Sequence, residues 1–195
     1  MILAWEYLAQ TDTGPLRCVP LSPDRLSDME RVFGERGVAR RCFCMHWRRP
    51  DGGYRDERDN RDRFAEIAVA GPPPGLLGYR ADDPVGWVQV GPRSAFPTLG
   101  RSPLLKPVDE TDPWTINCFV VRTGQRSQGI GKGLLEAGIA YAKSQGAETI
   151  EAYPVDGERS SLVDYFTGTL TMFSAHGFAE VIRRNDTRPI VRLTI

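Results

Sequence analysis

The strongest pattern of apolar and polar positions lies at residues 114–146. Trp114 to Val121 holds Ile116, Phe119, Val120 and Val121 in a short apolar run, which predicts a buried strand. Arg122, Gly124, Gln125 and Arg126 are too polar and too glycine-marked to continue it. From Ile130, the apolar residues Ile130, Leu134, Ala137 and Tyr141 recur at i, i+4, i+7 and i+11, the stripe of an amphipathic helix. Gly146, just after Lys143, suits its C-terminal end. A strand, a basic glycine-rich turn and a helix therefore follow one another at the centre of the chain.

The flanking segments carry weaker patterns. Residues 16–21 read as a strand, and Ser22 with Pro23 starts a helix to about residue 36 with Leu26, Met29, Val32 and Phe33 inward. A helix over residues 63–70, capped by Asn60 or Asp62, stops at Gly71 and the three prolines after it. Residues 75–80 and 85–90 read as a hairpin around Ala81-Asp82-Asp83-Pro84. Residues 91–106 form an irregular stretch long enough to suggest a functional loop. Residues 149–153 predict a strand with Ile150 and Ala152 on one face and Glu151 and Tyr153 on the other. A short helix over 171–176 ends at Gly177, and strands over 178–184 and 189–195 close the chain. Residues 158–170 fit loop or helix equally. Residues 1–15 read as an extension with a short helix, since Leu3, Tyr7 and Leu8 share a helical face.

At 195 residues the chain suits a single domain spanning 1–195. Its 25 basic and 25 acidic side chains balance, so bulk charge points to neither nucleic acid nor a membrane. No run approaches the roughly 18 apolar residues of a membrane span. The start lacks a charged region ahead of a long apolar one, so no export signal is expected. Four cysteines in this length do not make a disulfide scaffold. A cytoplasmic protein with reduced thiols is the expectation.

The turn into the central helix is where chemistry is expected. Gly129, Gly131 and Gly133 stand where the first helical N–H groups have no intrahelical partner, and the dipole is positive there. Glycine admits close backbone approach, and Arg126 and Lys132 add charge, so a phosphate-like anion is the expected guest. The glycines do not match the G-x-G-x-x-G dinucleotide fingerprint, and Ile130 stands where a Walker A loop needs lysine. A second unusual stretch is Arg40 to Pro50. Cys42, Cys44 and His46 alternate there and would share a face if extended, but a zinc site needs four ligands and no second pair lies nearby. Trp47 between His46 and Arg48-Arg49 suits either a pocket for an anionic or planar group or plain core packing.

The string Arg126-Ser127-Gln128-Gly129-Ile130-Gly131 resembles the R/Q-x-x-G-x-G/A signature of the GNAT superfamily of acyl-CoA-dependent N-acetyltransferases. The strand before it, the helix after it and the later Gly177-Phe178 extend the resemblance over residues 16–195. It implies an α/β (α+β) fold, a mixed central sheet splayed between its fourth and fifth strands with flanking helices. It implies acetyl-CoA as co-substrate, with the backbone of Phe119, Val120 and Val121 pairing with the pantetheine arm. The N–H groups of Arg126, Ser127, Gln128, Gly129, Ile130, Gly131 and Lys132 would hold the pyrophosphate, with no metal required. The run C-F-C-M-H-W-R, with L-K-P-V-D and A-Y-P-V-D, is similar to an actinobacterial-type subgroup of the family. A homodimer through the last strands is also implied.

The family's usual acid is a tyrosine four residues before that Gly-Phe, beside the departing CoA sulfur. Here Phe173 holds that cofactor-side position. Transfer to an amine requires a base, because a lysine-like ammonium with a pKa of about 10.4 has no lone pair to attack with. Glu151, acting through water, is the first candidate for base; His46, titrating near neutrality, is another. Tyr165 is the candidate acid. Tyr153, Asn117 and Cys118 also project near the expected splay, His176 suits a helix end, and attack without a dedicated acid remains open. The expected acceptor is a small-molecule amine; the alternative is a CoA-binding sensor or interaction domain that has lost transfer.

Overall fold

The computed structural model describes residues 5–50, 56–158 and 166–195. Strands β1 (Tyr7–Thr11), β2 (Gly14–Pro20), β3 (Gly75–Arg80), β4 (Asp83–Pro92), β5 (Trp114–Val121) and β6 (Thr149–Ala152) lie side by side in that order. β8 (Pro189–Thr194) and then β7 (Ala179–Arg183) complete the sheet. Neighbours run antiparallel except β5 and β6. Alternation along β4 builds the layers. Val88 faces helix α5 (Ile130–Ser144) and joins a core with Ile116, Leu134 and Ile150. Trp87 faces the other way, among Met29 and Val32 of α1 (Leu26–Phe33) and Phe64 of α3 (Glu57–Ala70). A third cluster covers the β6–β8 end with Phe96, Leu99 and Leu105 against Tyr153 and Ile190.

The site is set by how β5 leaves β6. The two pair only at Trp114–Ile150, Thr115–Glu151 and Ile116–Ala152. Beyond Ile116, β5 stays on β4 out to Gly86–Val121, so the sheet opens between β5 and β6. These are the expected fourth and fifth strands, with β1 shifting the count by one.

β1 replaces the short helix expected near the N-terminus. Thr11 pairs with Gly14 across a two-residue turn, and the burial of residues 7–11 alternates, with Ala9 buried and Leu8 exposed. Pairing with β2 satisfies its backbone and seats Ala9 against α5, where a Cβ on Gly133 would stand 3.1 Å from Ala9 Cβ. α1 buries Met29, Val32 and Phe33 as expected but stops at Gly34, whose φ is 77°. α3 begins earlier than expected, because the Asp56 carboxylate accepts the Arg58 N–H at 2.8 Å. Asn60, the expected cap, is buried instead, accepting from Arg49 at 2.8 Å and donating to the Arg41 carbonyl at 2.8 Å. Residues 91–106 contain a 3-10 turn (Arg93–Ala95) and the short helix α4 (Pro97–Arg101), and they roof the third cluster rather than edging the cleft.

Candidate active site

β5 ends because Arg122 is tied back to β4: its N–H donates to the Val85 carbonyl at 3.0 Å and its guanidinium pairs with Asp83, with Nη1–Oδ1 at 2.8 Å. The turn then takes left-handed conformations at Gly124, Ser127 and Gly129, with φ of 86°, 59° and 76°. The first bond into α5 runs from the Gly133 N–H to the Gly129 carbonyl at 3.1 Å. The N–H groups of Ile130, Gly131 and Lys132 precede that bond and point out of the helix end, a suitable seat for an anion. Gly133, grouped with the anion-binding glycines from sequence, instead allows close packing of α5 on β1 and β2.

Gly129 is required twice over. Its φ is left-handed, and a Cβ there would meet Asp12 at 3.0 Å. Gly129→Ala is expected to cost about 1–3 kcal/mol through backbone strain. A thermal melt would read this as a lower midpoint, and an unchanged midpoint would contradict the crowding.

From this helix end a cleft of about 640 Å³ runs along the free edge of β5. Phe119, Val120 and Val121 form one wall, and Arg126, Ser127, Gly129, Ile130 and Gly131 form the mouth. Val32, Phe33 and Arg36 close it from the end of α1, and Val38 and Ala39 from α2 (Val38–Cys42). Phe166, Gly168 and Met172 line the far side. The α1–α2 residues and Phe166 went unread in the sequence; only Gly34 and Gly37 flanking Arg36 hinted at a turn presenting a cation.

Three of the expected cofactor residues turn their side chains away from the cleft, although the Lys132 N–H stays at the helix end. The Gln128 side chain turns away, its carbonyl oxygen taking the Arg80 guanidinium and lying 3.2 Å from Thr13 Oγ1. Lys132 is exposed on the outer side of α5 and is absent from the cleft wall. Phe173, in the short helix α6 (Leu170–Ser174), is 0% exposed and packs edge-on against Phe119 and Phe178, with centroids at 6.0 and 5.0 Å. Lacking a hydroxyl to satisfy, it joins the core instead of the cleft. Phe173→Tyr is accordingly expected to bury an unpaired hydroxyl and destabilise by about 1–3 kcal/mol. A variant as stable as the parent and faster in turnover would contradict that.

Two features of β5 bear on the reacting end. The Phe119 N–H donates to the Phe166 carbonyl at 2.7 Å, so a chain segment already fills part of the splay at the position expected to pair with pantetheine. Register shifts between Gln89–Cys118 and Val90–Ile116, leaving Asn117 as the extra residue of a bulge. Asn117 is 1% exposed, and neither amide atom has a hydrogen-bond partner among the described residues.

Glu151, the first candidate for base, is 0% exposed and lies outside the cleft wall. Arg93 Nε reaches its carboxylate at 3.2 Å, Arg192 Nε at 2.8 Å, and the Tyr153 hydroxyl donates at 2.6 Å. Burial and the neighbouring carboxylate push the Tyr153 phenol far above its ordinary value, so it keeps its proton. The carboxylate is fully buried among these donors and does not line the cleft. The geometry places Glu151 in a buried ion-pair network outside the cleft, not at the splay where a base was expected. Tyr165, the candidate acid, lies outside the described residues.

His46, the other candidate base, lines a small pocket beside the cleft. α2 is followed by left-handed Phe43 and Cys44, with φ of 45° and 53°, so Cys42, Cys44 and His46 do not alternate along an extended strand. The turn nonetheless brings all three, with Cys118, around a small pocket of about 30 Å³. That pocket shares Val38, Ala39, Val120 and Phe166 with the cleft. His46 is half-buried with its ring edge-on to Trp47, centroids 4.5 Å apart, and burial holds its pKa below the ordinary histidine value. Cys44 Sγ lies 3.7 Å from Cys118 Sγ and accepts the Trp87 indole N–H at 3.0 Å. Among the described residues, no group of three or more His, Cys, Asp or Glu is placed to hold a metal ion. His176 lies in the turn after α6, two residues beyond its last helical residue, with its Nδ1 2.7 Å from the Met172 carbonyl. No helix among the described residues is long and apolar enough to cross a membrane.

Residues 41–164 match the acetyltransferase (GNAT) family, about two-thirds of the chain. The chain belongs to that family. As a GNAT protein it is an N-acetyltransferase, and its open mixed sheet is the family's fold. Solved structures agree in fold at low identity. The GNAT domain of S. lividans PAT is 14% identical, with a TM-score of 0.60 over 98% of this chain and 97% of that one. The PaiA N-acetyltransferase of Thermoplasma acidophilum, solved in complex with coenzyme A, is 13% identical, with a TM-score of 0.54 over 92% of this chain and 99% of that one. RimJ of Mycobacterium smegmatis, in complex with CoA-disulfide, is 11% identical, with a TM-score of 0.57 over 97% of this chain and 86% of that one. No curated protein matches the sequence.

Proposed function

We propose that this acetyltransferase moves an acetyl group from acetyl-CoA to a small-molecule amine, with His46 as the base. The observation that carries this is the wall that the cleft shares with the pocket beside it. The cleft starts at the N-terminus of α5 and follows Phe119–Val121 into the splay, and His46 lines the pocket. The PaiA and RimJ structures, which hold CoA or CoA-disulfide on the same fold, support the choice of cofactor.

The mouth fits a pyrophosphate. The N–H groups of Ile130, Gly131 and Lys132 supply oriented donors, and Arg126 and Arg36, both lining the cleft, supply charge. Phe119 and Val121 lie two apart on β5 and turn the same edge toward the splay, where the pantetheine amides would pair in place of the Phe166 carbonyl. Acetyl-CoA supplies an activated acyl carbon as a thioester. This chain's residues hold it, exclude water and manage the acceptor's proton. Apolar walls disfavour an ammonium, which lowers the amine's pKa on entry. His46, kept neutral by burial, takes the remaining proton. No family tyrosine stands at position 173, so proximity and the polar bulge at Asn117 carry more of the rate.

A small acceptor is favoured over a peptide because the pocket that shares the cleft's wall is small and apolar. The homodimer implied by the resemblance would use the β7 edge, where residues 179–181 are exposed. The test is turnover on a panel of amines and lysine peptides with acetyl-CoA, read as free CoA thiol. Turnover with small amines that falls in His46→Gln supports the proposal. Turnover confined to peptides, or equal in the variant, contradicts it.

A further inference from the structure

We infer that the small pocket beside the splay is a binding site for a short, uncharged alkyl group of about two or three carbons on one of the two reactants, and that it sets chain-length selectivity. The inference rests on the transfer reaction proposed above and names the chemistry of what that reaction takes.

The walls argue for it. Ala39 and Cys42 come from α2, Cys44 from the left-handed turn after it, Cys118 and Val120 from β5, and Phe166 from across the splay. No Asp, Glu, Lys or Arg lines the pocket. The cysteines do not bring charge either: burial pushes the Cys42 thiol up to about 12 and raises Cys44 as well, so both stay neutral thiols near pH 7. His46 is the one other polar side chain in the wall, so a charged group placed here would lose its water without finding a countercharge. Sulfur is soft and polarizable and suits contact with methyl and methylene groups.

The size argues for it as well. At about 30 Å³ the pocket exceeds the roughly 10–15 Å³ needed for one water-sized group, and it is far too small for an aromatic ring. It is also in the right place. Val38, Ala39, Val120 and Phe166 belong to both this pocket and the cleft, so a group seated here stays attached to a reactant in the splay. In the reaction the amine nitrogen bonds to the acyl carbon and the thioester C–S bond breaks. The amine's proton passes to His46, and CoA leaves as a thiolate that is then protonated. The alkyl group takes no part in these bonds, and its burial only selects which reactant reaches them.

The alkyl group has two sources, an acyl chain longer than acetyl or a substituent on the amine, and the experiment separates them. One arm measures affinity for acetyl-, propionyl-, butyryl- and hexanoyl-CoA. The other measures kcat/KM with acetyl-CoA for primary amines of one to six carbons. In one arm an optimum at two or three added carbons is expected, with a drop of roughly 10–200-fold for each further methylene. Cys42 lines this pocket and not the cleft, so Cys42→Leu should move that optimum to shorter chains and Cys42→Ala to longer ones. Acetyl-CoA binding by each variant checks that it is folded. Flat profiles in both arms, or profiles unmoved in both variants while acetyl-CoA still binds, overturn the inference and leave the transfer reaction standing. Failure of the wild-type protein to bind acetyl-CoA removes the reaction and the inference with it.

Discussion

His46→Gln is expected to lower kcat by about two to four orders of magnitude, the usual contribution of a positioned general base. Acetyl-CoA affinity should stay close to that of the parent, because His46 is absent from the cleft that would hold the cofactor. The pH profile gives a second test. Burial lowers the pKa of His46 from the ordinary histidine value of about 6.5. The imidazole is therefore neutral and able to accept a proton throughout the neutral range, and the acidic limb of kcat/KM falls below pH 6.5. In the variant that limb disappears. The same shift has a sign for stability. The unfolded chain binds the proton more tightly than the folded one, so this group's contribution is present above about pH 6.5 and is lost as pH falls toward the folded value. A variant with parental kcat, or one that keeps the limb, would take the base role from His46.

Glu151→Ala is expected to be strongly destabilising. The carboxylate is 0% exposed and takes hydrogen bonds from Arg93, Arg192 and Tyr153. Removing it strands two largely buried guanidiniums, of which Arg192 alone, among the described residues, keeps another carboxylate, Asp109. Breaking a buried ion pair from one side costs about 3–5 kcal/mol. For a chain of this size that is roughly a 6–20 °C fall in melting temperature. Turnover per folded molecule should stay near that of the parent. A stable variant that is catalytically dead would restore Glu151 to the mechanism.

The central strand, turn and helix were legible because they depend on neighbours in sequence. The apolar run of β5, the 3.6-residue stripe of α5 and the glycines between them are local signals, and the family signature sits on them. β1 was not legible, since Leu3, Tyr7 and Leu8 fit a helical face as well as a strand. What decided it was Gly14 and β2 on one side and Gly133 of α5 on the other, both contacts of tertiary origin. Glu151 was correctly placed on the face of β6 opposite Ile150, but nothing near it in sequence announced Arg93 and Arg192. Lys132 and Gln128 show the limit of a motif: it locates a backbone, while the helix turns the Lys132 side chain outward and Arg80 draws the Gln128 side chain away. Phe166 carried no signal at all, because its part at the splay arises from a single long-range bond to Phe119.

The cofactor cleft at the N-terminus of α5 is tested most directly by a thermal-shift titration with acetyl-CoA, free CoA and ATP, on the wild-type protein and on Gly129→Ala. At 100 times its dissociation constant a ligand stabilises by about 2.7 kcal/mol. In a chain of this length that is a rise of roughly 5–10 °C. The predicted result is a shift of that size with both CoA forms, little or none with ATP, and a weakened response in Gly129→Ala. No shift with either CoA form would mean that the turn from Arg126 to Lys132 only shapes the fold, and it would contradict the proposed transfer.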